Sequence, residues 1–86
     1  MRVRRRPAVD ELTRDGETAL LFASKVVRLS AMGAAIYDIA RDPVTVDEVA
    51  QELESTFGTP IGKPILDVAQ QAVDYLVGLG VLYRHI

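Results

Sequence analysis

The chain has 86 residues, 49% of them hydrophobic, a formal net charge of −2 and no cysteine. Its length makes one domain, and the lack of cysteine excludes disulfides, thiol catalysis and thiolate metal sites. No apolar run approaches the ~18 residues of a membrane span, and none of signal-peptide length follows the basic start, so the sequence predicts a soluble, cytoplasmic protein with no membrane partner.

Arg2, Arg4, Arg5 and Arg6 crowd the first residues. They read as a flexible, solvated basic end over residues 1–7, or as a contact for an acidic partner. Pro7 lacks an N–H and belongs at a strand start or an edge. Residues 8–13 then form a first strand, ended by Arg14-Asp15-Gly16, whose Asp-Gly pair suits the positive φ of a hairpin turn. The apolar run 17–22 is a second strand, and Ala23-Ser24 is a tight connection. Lys25, Val26, Val27, Arg28 and Leu29 make a third, rich in β-branched residues. These three strands form an antiparallel meander.

After Leu29 the period changes. Ser30 is a helix N-cap, and residues 31–40 place Ala35, Ile36 and Ile39 on one apolar side. Asp42-Pro43 ends that helix. Thr45-Val46-Asp47-Glu48 is a capping box. The helix it opens carries Val46, Val49, Ala50, Leu53 and Phe57 at helical spacing and closes at Gly58. Residues 59–64 are a loop. A third helix spans about 65–79 with Gly80 closing it, and Val81-Leu82-Tyr83 is a short extended end. The order predicts an α+β domain, winged helix-turn-helix-like, with a three-stranded antiparallel sheet followed by three helices.

The third helix is wider in its apolar face than a core requires. At about 100° per residue, Asp67, Gln70, Gln71, Asp74 and Gly78 share one arc, and apolar residues fill roughly 200°. An ordinary surface helix shows a stripe of somewhat more than 100°. Ala69, Ala72, Val73 and Leu76 sit at its centre. Ile65, Val68, Tyr75 and Leu79 lie along one margin, and Leu66 and Val77 along the other. Beside it, the strand 25–29 ends the meander and is a sheet edge. Its alternation turns Val27 and Leu29 to the core and Val26 and Arg28 away. Lys25 and Arg28 either guard this edge or pair with acids of an incoming chain. An edge beside an apolar helix margin is the geometry of β-augmentation.

Catalysis has little to stand on. The one histidine, His85, falls at a chain end that is expected to fray. Ser24, Ser30 and Ser55 lie in no nucleophile-elbow pattern. No cluster has metal-ligand spacing, and Gly78-Leu79-Gly80 lacks the setting of a nucleotide loop. Asp47, Glu48, Glu52 and Glu54 read as the wet face of the second helix. A DNA-reading helix brings basic and amide side chains to bases and phosphates. The third helix has two aspartates and neither Arg nor Lys. We therefore expect a non-catalytic domain with no cofactor, no metal and no nucleic acid. The alternatives are a winged-helix DNA-binding regulator and an accessory subunit of a larger enzyme.

The run Ala19-Leu-Leu-Phe-Ala-Ser-Lys-Val-Val-Arg-Leu-Ser30 leads into Ala34-Ala-Ile-Tyr-Asp-Ile39. It is followed by Thr45-Val-Asp-Glu-Val49 and by Val73, Leu76 and Gly80-Val-Leu82. In this order the chain resembles the PqqD-like proteins, the recognition elements of ribosomal peptide modification pathways, over nearly its whole length. The loop 59–64 is fuller than that family's pattern. The resemblance implies a domain that binds the leader segment of a precursor peptide as an added strand, between the third strand and the third helix. The domain then delivers it to a modifying enzyme such as a radical SAM enzyme, leader peptidase, cyclase or dehydratase. Carried onto this chain, the peptide-binding set is Lys25, Val26, Val27, Arg28 and Leu29 with Val68, Ala72, Tyr75 and Leu79. Arg28 and Lys25 would meet leader acids, Val26 and Val27 would offer backbone bonds, and the helix residues would form the pocket. An open edge strand also permits a homodimer.

Overall fold

The computed structural model describes residues 1–85. It is an α+β fold built from two small antiparallel sheets and three helices. The strands are β1 (Arg2–Arg5), β2 (Asp10–Arg14), β3 (Glu17–Leu21), β4 (Val26–Leu29), β5 (Val44–Thr45) and β6 (Leu82–His85). The helices are α1 (Ala31–Ile39), α2 (Val46–Phe57) and α3 (Ile65–Gly78). Strands β2, β3 and β4 form the expected meander in that spatial order. The turn between β2 and β3 has Asp15 at φ 53° and Gly16 at φ 81°. Two consecutive positive φ values are what a two-residue hairpin of matching twist demands.

The second sheet has the order β5-β1-β6 and lies outside the sequence-based expectation. Residues 1–7 are not a free basic end. Arg2 pairs with Thr45 on one side and His85 on the other, and Val3 pairs with Val44 and Arg84. His85 is correspondingly in a strand rather than at a frayed end. The reason is that Val3 is driven into the core, where it is 2% exposed. One buried residue in a run of arginines gives no periodicity to read, and its partners are 40 or more residues away.

One core joins both sheets to the helices. Leu20, Val27 and Leu29 enter it from the first sheet, Val3 and Leu82 from the second. Ile36, Tyr37, Val49, Leu53, Ala69, Val73 and Leu76 enter from the helices. Phe57 falls short of this core and is 46% exposed at the end of α2.

Tyr37 ties the two sheets. Its ring is buried, and its hydroxyl accepts the Ala8 N–H at 3.1 Å and donates to the Arg6 carbonyl at 2.6 Å. Those two groups flank Pro7, so the phenol fixes the corner where the chain leaves β1 for β2. The Arg5 guanidinium lies 5.0 Å from the Tyr37 ring centroid and 3.8 Å from Asp38. Burial raises the Tyr37 pKa above the ordinary phenol value of 10.0, against the lowering effect of the Ala8 N–H. At α2 the capping box is complete. The Glu48 N–H donates to the Thr45 hydroxyl at 3.1 Å, and the Thr45 N–H donates to the Glu48 carboxylate at 3.0 Å. That bond holds the Glu48 carboxyl below its usual 4.5.

Two predictions follow from these ties. Tyr37→Phe leaves the Ala8 N–H and the Arg6 carbonyl without their partner and should cost about 1–2 kcal/mol in denaturant unfolding. The folded state favours the neutral phenol, so this tyrosine's share of stability is present below pH 10.0 and declines as pH rises through that value and the higher folded one. The Phe variant should lack that part of the alkaline loss. Thr45→Ala should cost about 1 kcal/mol near neutral pH. The depressed Glu48 pKa contributes stability above pH 4.5 that is lost as pH falls through the folded value, so the gap to wild type should narrow in acid.

Candidate binding groove

Strand β4 alternates as its sequence demands. Val27 and Leu29 are buried, while Val26 is 63% exposed and Arg28 is also exposed. Among the described residues, β4 is paired on its β3 side only. The Phe22 N–H donates to the Lys25 carbonyl at 2.9 Å, closing the hairpin around Ala23-Ser24. In an antiparallel ladder, pairs that exchange bonds alternate with pairs that do not. Counting from Phe22 and Lys25, the exchanging pairs are Leu20 with Val27 and Thr18 with Leu29. The N–H and C=O groups of Val26 and Arg28 therefore point to the open edge. This corrects the expectation that Val27 offers backbone bonds outward, since its backbone is committed to Leu20. Val26 and Arg28 are the outward pair.

Helix α3 buries Ala69, Val73 and Leu76 as its centre line. Ala72 is half-buried beside them, with Ile65, Val68 and Leu79 on the same flank, and Tyr75 is 67% exposed at its rim. The opposite flank borders an open pocket. Val77, Gln70 and Asp74 wall a cavity of about 480 Å³ together with Met1, Val3, Thr45, Val46, Asp47 and Arg84. That flank faces the second sheet. At the C-terminal end of the Ala72–Leu79 flank one contact reaches the residue before β4: the Lys25 ammonium donates to the Leu79 carbonyl. Leu79 is the C-cap of α3, where backbone acceptors lack helical partners and a cation suits the helix dipole.

Gly80 allows this approach. It sits at φ 78°, and a Cβ there would stand 3.1 Å from the Lys25 Nζ. Lys25 is therefore partly committed inside the fold, with one of its three donors used, while Arg28 is in neither of the ion pairs among the described residues.

The structure thus brings Lys25 and Leu79 into contact, while Val26 and Arg28 lie on the open edge and Val68, Ala72 and Tyr75 lie on the Leu79 flank of α3. Val27 and Leu29 serve from below, as the buried anchors of the strand. Sequence reasoning missed the outer face of the first sheet. Leu21 pairs with Val26 and Leu12 with Ala19, so Leu12, Leu21 and Val26 form an exposed apolar face next to the edge. The alternation of residues 17–21 carries that signal. Among the described residues, no group of three or more His, Asp or Glu side chains converges as a metal site. No family model matches the chain, and comparisons with curated proteins and with solved structures find no match.

Amide hydrogen exchange tests the edge directly. Val27 and Leu29 should be protected by the ladder, whereas Val26 and Arg28 should exchange at rates typical of exposed strand edges. Protection of Val26 and Arg28 equal to that of their neighbours would mean the edge is covered.

Proposed function

We propose that the protein is a non-catalytic peptide-binding domain of the PqqD-like kind, which captures the leader segment of a ribosomally made precursor peptide and presents it to a modifying enzyme. The observation that carries this reading is the outward N–H and C=O groups of Val26 and Arg28 on an unpaired edge, beside the apolar flank of α3. A peptide adding there as a strand makes backbone bonds to both residues. Its side chains alternate: one set meets Val68, Ala72 and Leu79, with Tyr75 at the rim, and the other meets Val26, Leu21 and Arg28. Arg28 supplies a guanidinium for a leader carboxylate, and Lys25 its remaining donors. In this reading the helices and first sheet correspond to a winged-helix-like recognition element, in the cytoplasm, with a radical SAM enzyme, leader peptidase, cyclase or dehydratase as the consumer of the bound peptide.

DNA reading by α3 has no support in its exposed side, which carries Asp67, Gln70, Gln71 and Asp74. Two aspartates repel phosphates rather than recruit them.

An extended, apolar and acidic leader peptide should bind with a dissociation constant in the micromolar range or tighter, about −8 kcal/mol. Titration calorimetry should show Val26→Pro, which removes one outward N–H and leaves the β3–β4 bonds in place, weakening binding by about five- to tenfold. Tyr75→Ala should weaken it similarly with little change in unfolding stability, because the ring is 67% exposed. Full affinity in Val26→Pro would rule out strand addition at β4.

A further inference from the structure

The second sheet carries a feature that peptide capture at β4 does not use. Of the ten Lys and Arg residues in a chain of net charge −2, five (Arg2, Arg4, Arg5, Arg6 and Arg84) lie on β1, directly after it, or on β6. Neither strand contains an acidic residue.

The arginines are sorted by the pleat. Val3 and Leu82 are buried, so the residues alternating with them on each strand face away from the core. On β1 these are Arg2 and Arg4. Arg6 continues the row, because its N–H donates to the Val81 carbonyl at 2.9 Å and extends the pairing with the β6 segment. The register sets Arg2 opposite His85 and Arg4 opposite Tyr83. One outer face thus holds three exposed arginines beside two half-buried rings. The two ion pairs among the described residues use Arg5 and Arg41, both with Asp38, and none of the three outer arginines.

The spacing of this row is specific. Alternate residues on a strand stand roughly 6.6–6.8 Å apart. An extended chain with acids at alternate positions presents carboxylates at the same interval. A guanidinium accepts a carboxylate or a phosphate in a two-bond fork, so charge alone does not choose between an acidic protein segment and single-stranded nucleic acid. The rings do. Nucleic-acid platforms stack bases on open aromatic faces. Here the Arg6 guanidinium lies 5.3 Å from the Tyr83 ring centroid, and Tyr83 and His85 are tilted at 53° to each other. Asp47 and Glu48 also lie in the first turn of α2, whose N-cap Thr45 is the β5 partner of Arg2. Arg2 already acts on the Glu48 carboxyl, so a polyanion that continues past Arg2 on that side meets like charge, and the face suits a short acidic segment that ends there.

We propose that the outer face of the β5-β1-β6 sheet docks an extended acidic segment of a partner protein, with carboxylates at alternate positions on Arg2, Arg4 and Arg6. This surface is on a different sheet from the β4 edge, so both can be engaged at once, and it stands whether or not β4 binds a leader.

The test uses the full chain and three probes. Two are synthetic peptides of equal length and composition, one with glutamates at alternate positions and one with the same glutamates in a single block. The third is an oligouridine strand. The alternating peptide should bind more tightly than the block peptide and the oligouridine, and should shift the amides of Arg2–Arg5 and Leu82–His85 but not those of Val26–Leu29. The double variant Arg2→Glu/Arg4→Glu should weaken it by about tenfold or more, as loss and reversal of several exposed ion pairs implies. Arg14→Glu, on the other sheet, should leave it unchanged. If the reversed variant unfolds in a thermal melt, Arg2→Gln/Arg4→Gln serves in its place with a smaller loss. Equal binding of the two peptides, tighter binding of oligouridine, or unchanged affinity in the Arg2/Arg4 variants would overturn the proposal.

Discussion

The burial of Val27 and Leu29 is the constraint on which the rest of the molecule depends. Both enter the core from a four-residue strand, and full burial of side chains of this size contributes about 1.5–3 kcal/mol each. Because side chains on a strand alternate strictly, fixing these two also fixes Val26 and Arg28 on the other face. Because ladder bonds alternate as well, it fixes which backbone groups are turned away from β3. A one-residue slip would expose the apolar pair and redirect every free N–H. The open edge is thus held in one register by the core beneath it.

Two further ties fix the surroundings of the edge. Lys25 reaches the C-cap carbonyl of α3, and Gly80 has no side chain to block it. On the far side, Tyr37 fastens the corner between the two sheets. The second sheet in turn borders the Val77 flank of α3. The breadth of the apolar face on α3 therefore has two explanations, one per flank. One side walls an open pocket against the second sheet, and the other ends at the Lys25 contact. The two proposed binding surfaces lie on different sheets, the first on β4 and the second on the outer face of β1 and β6.

Much of this was legible in the residues. The Asp15-Gly16 turn, the Ser30 and Thr45 caps and Gly58 each follow from local chemistry, and the structure has them in those roles. The three-strand meander and three helices were readable from the change of hydrophobic period at Ser30. The second sheet was not. Strand β5 has two residues, β1 has one buried side chain, and their pairing spans the length of the chain. Short strands joined only by long-range contacts leave no periodic trace, and four nearby arginines read as a solvated end. At the groove, the edge and the helix flanks were legible, but the direction of the backbone was not. Alternation of side chains can be counted from sequence, whereas the choice of Val26 and Arg28 over Val27 as outward donors depends on how the hairpin closes at Phe22 and Lys25. The role of Lys25 was likewise hidden, because its partner is a backbone carbonyl 54 residues away.

The central claim is that a peptide adds to β4 as a fourth strand of the first sheet. Intermolecular nuclear Overhauser contacts on the isotope-labelled protein with an unlabelled leader peptide measure this directly. The account predicts cross-strand backbone contacts from Val26 and Arg28 to alternate peptide residues, with side-chain contacts to Ala72, Tyr75 and Leu79. Contacts confined to the 480 Å³ cavity flank at Gln70, Asp74 and Val77, with none at β4, would contradict it.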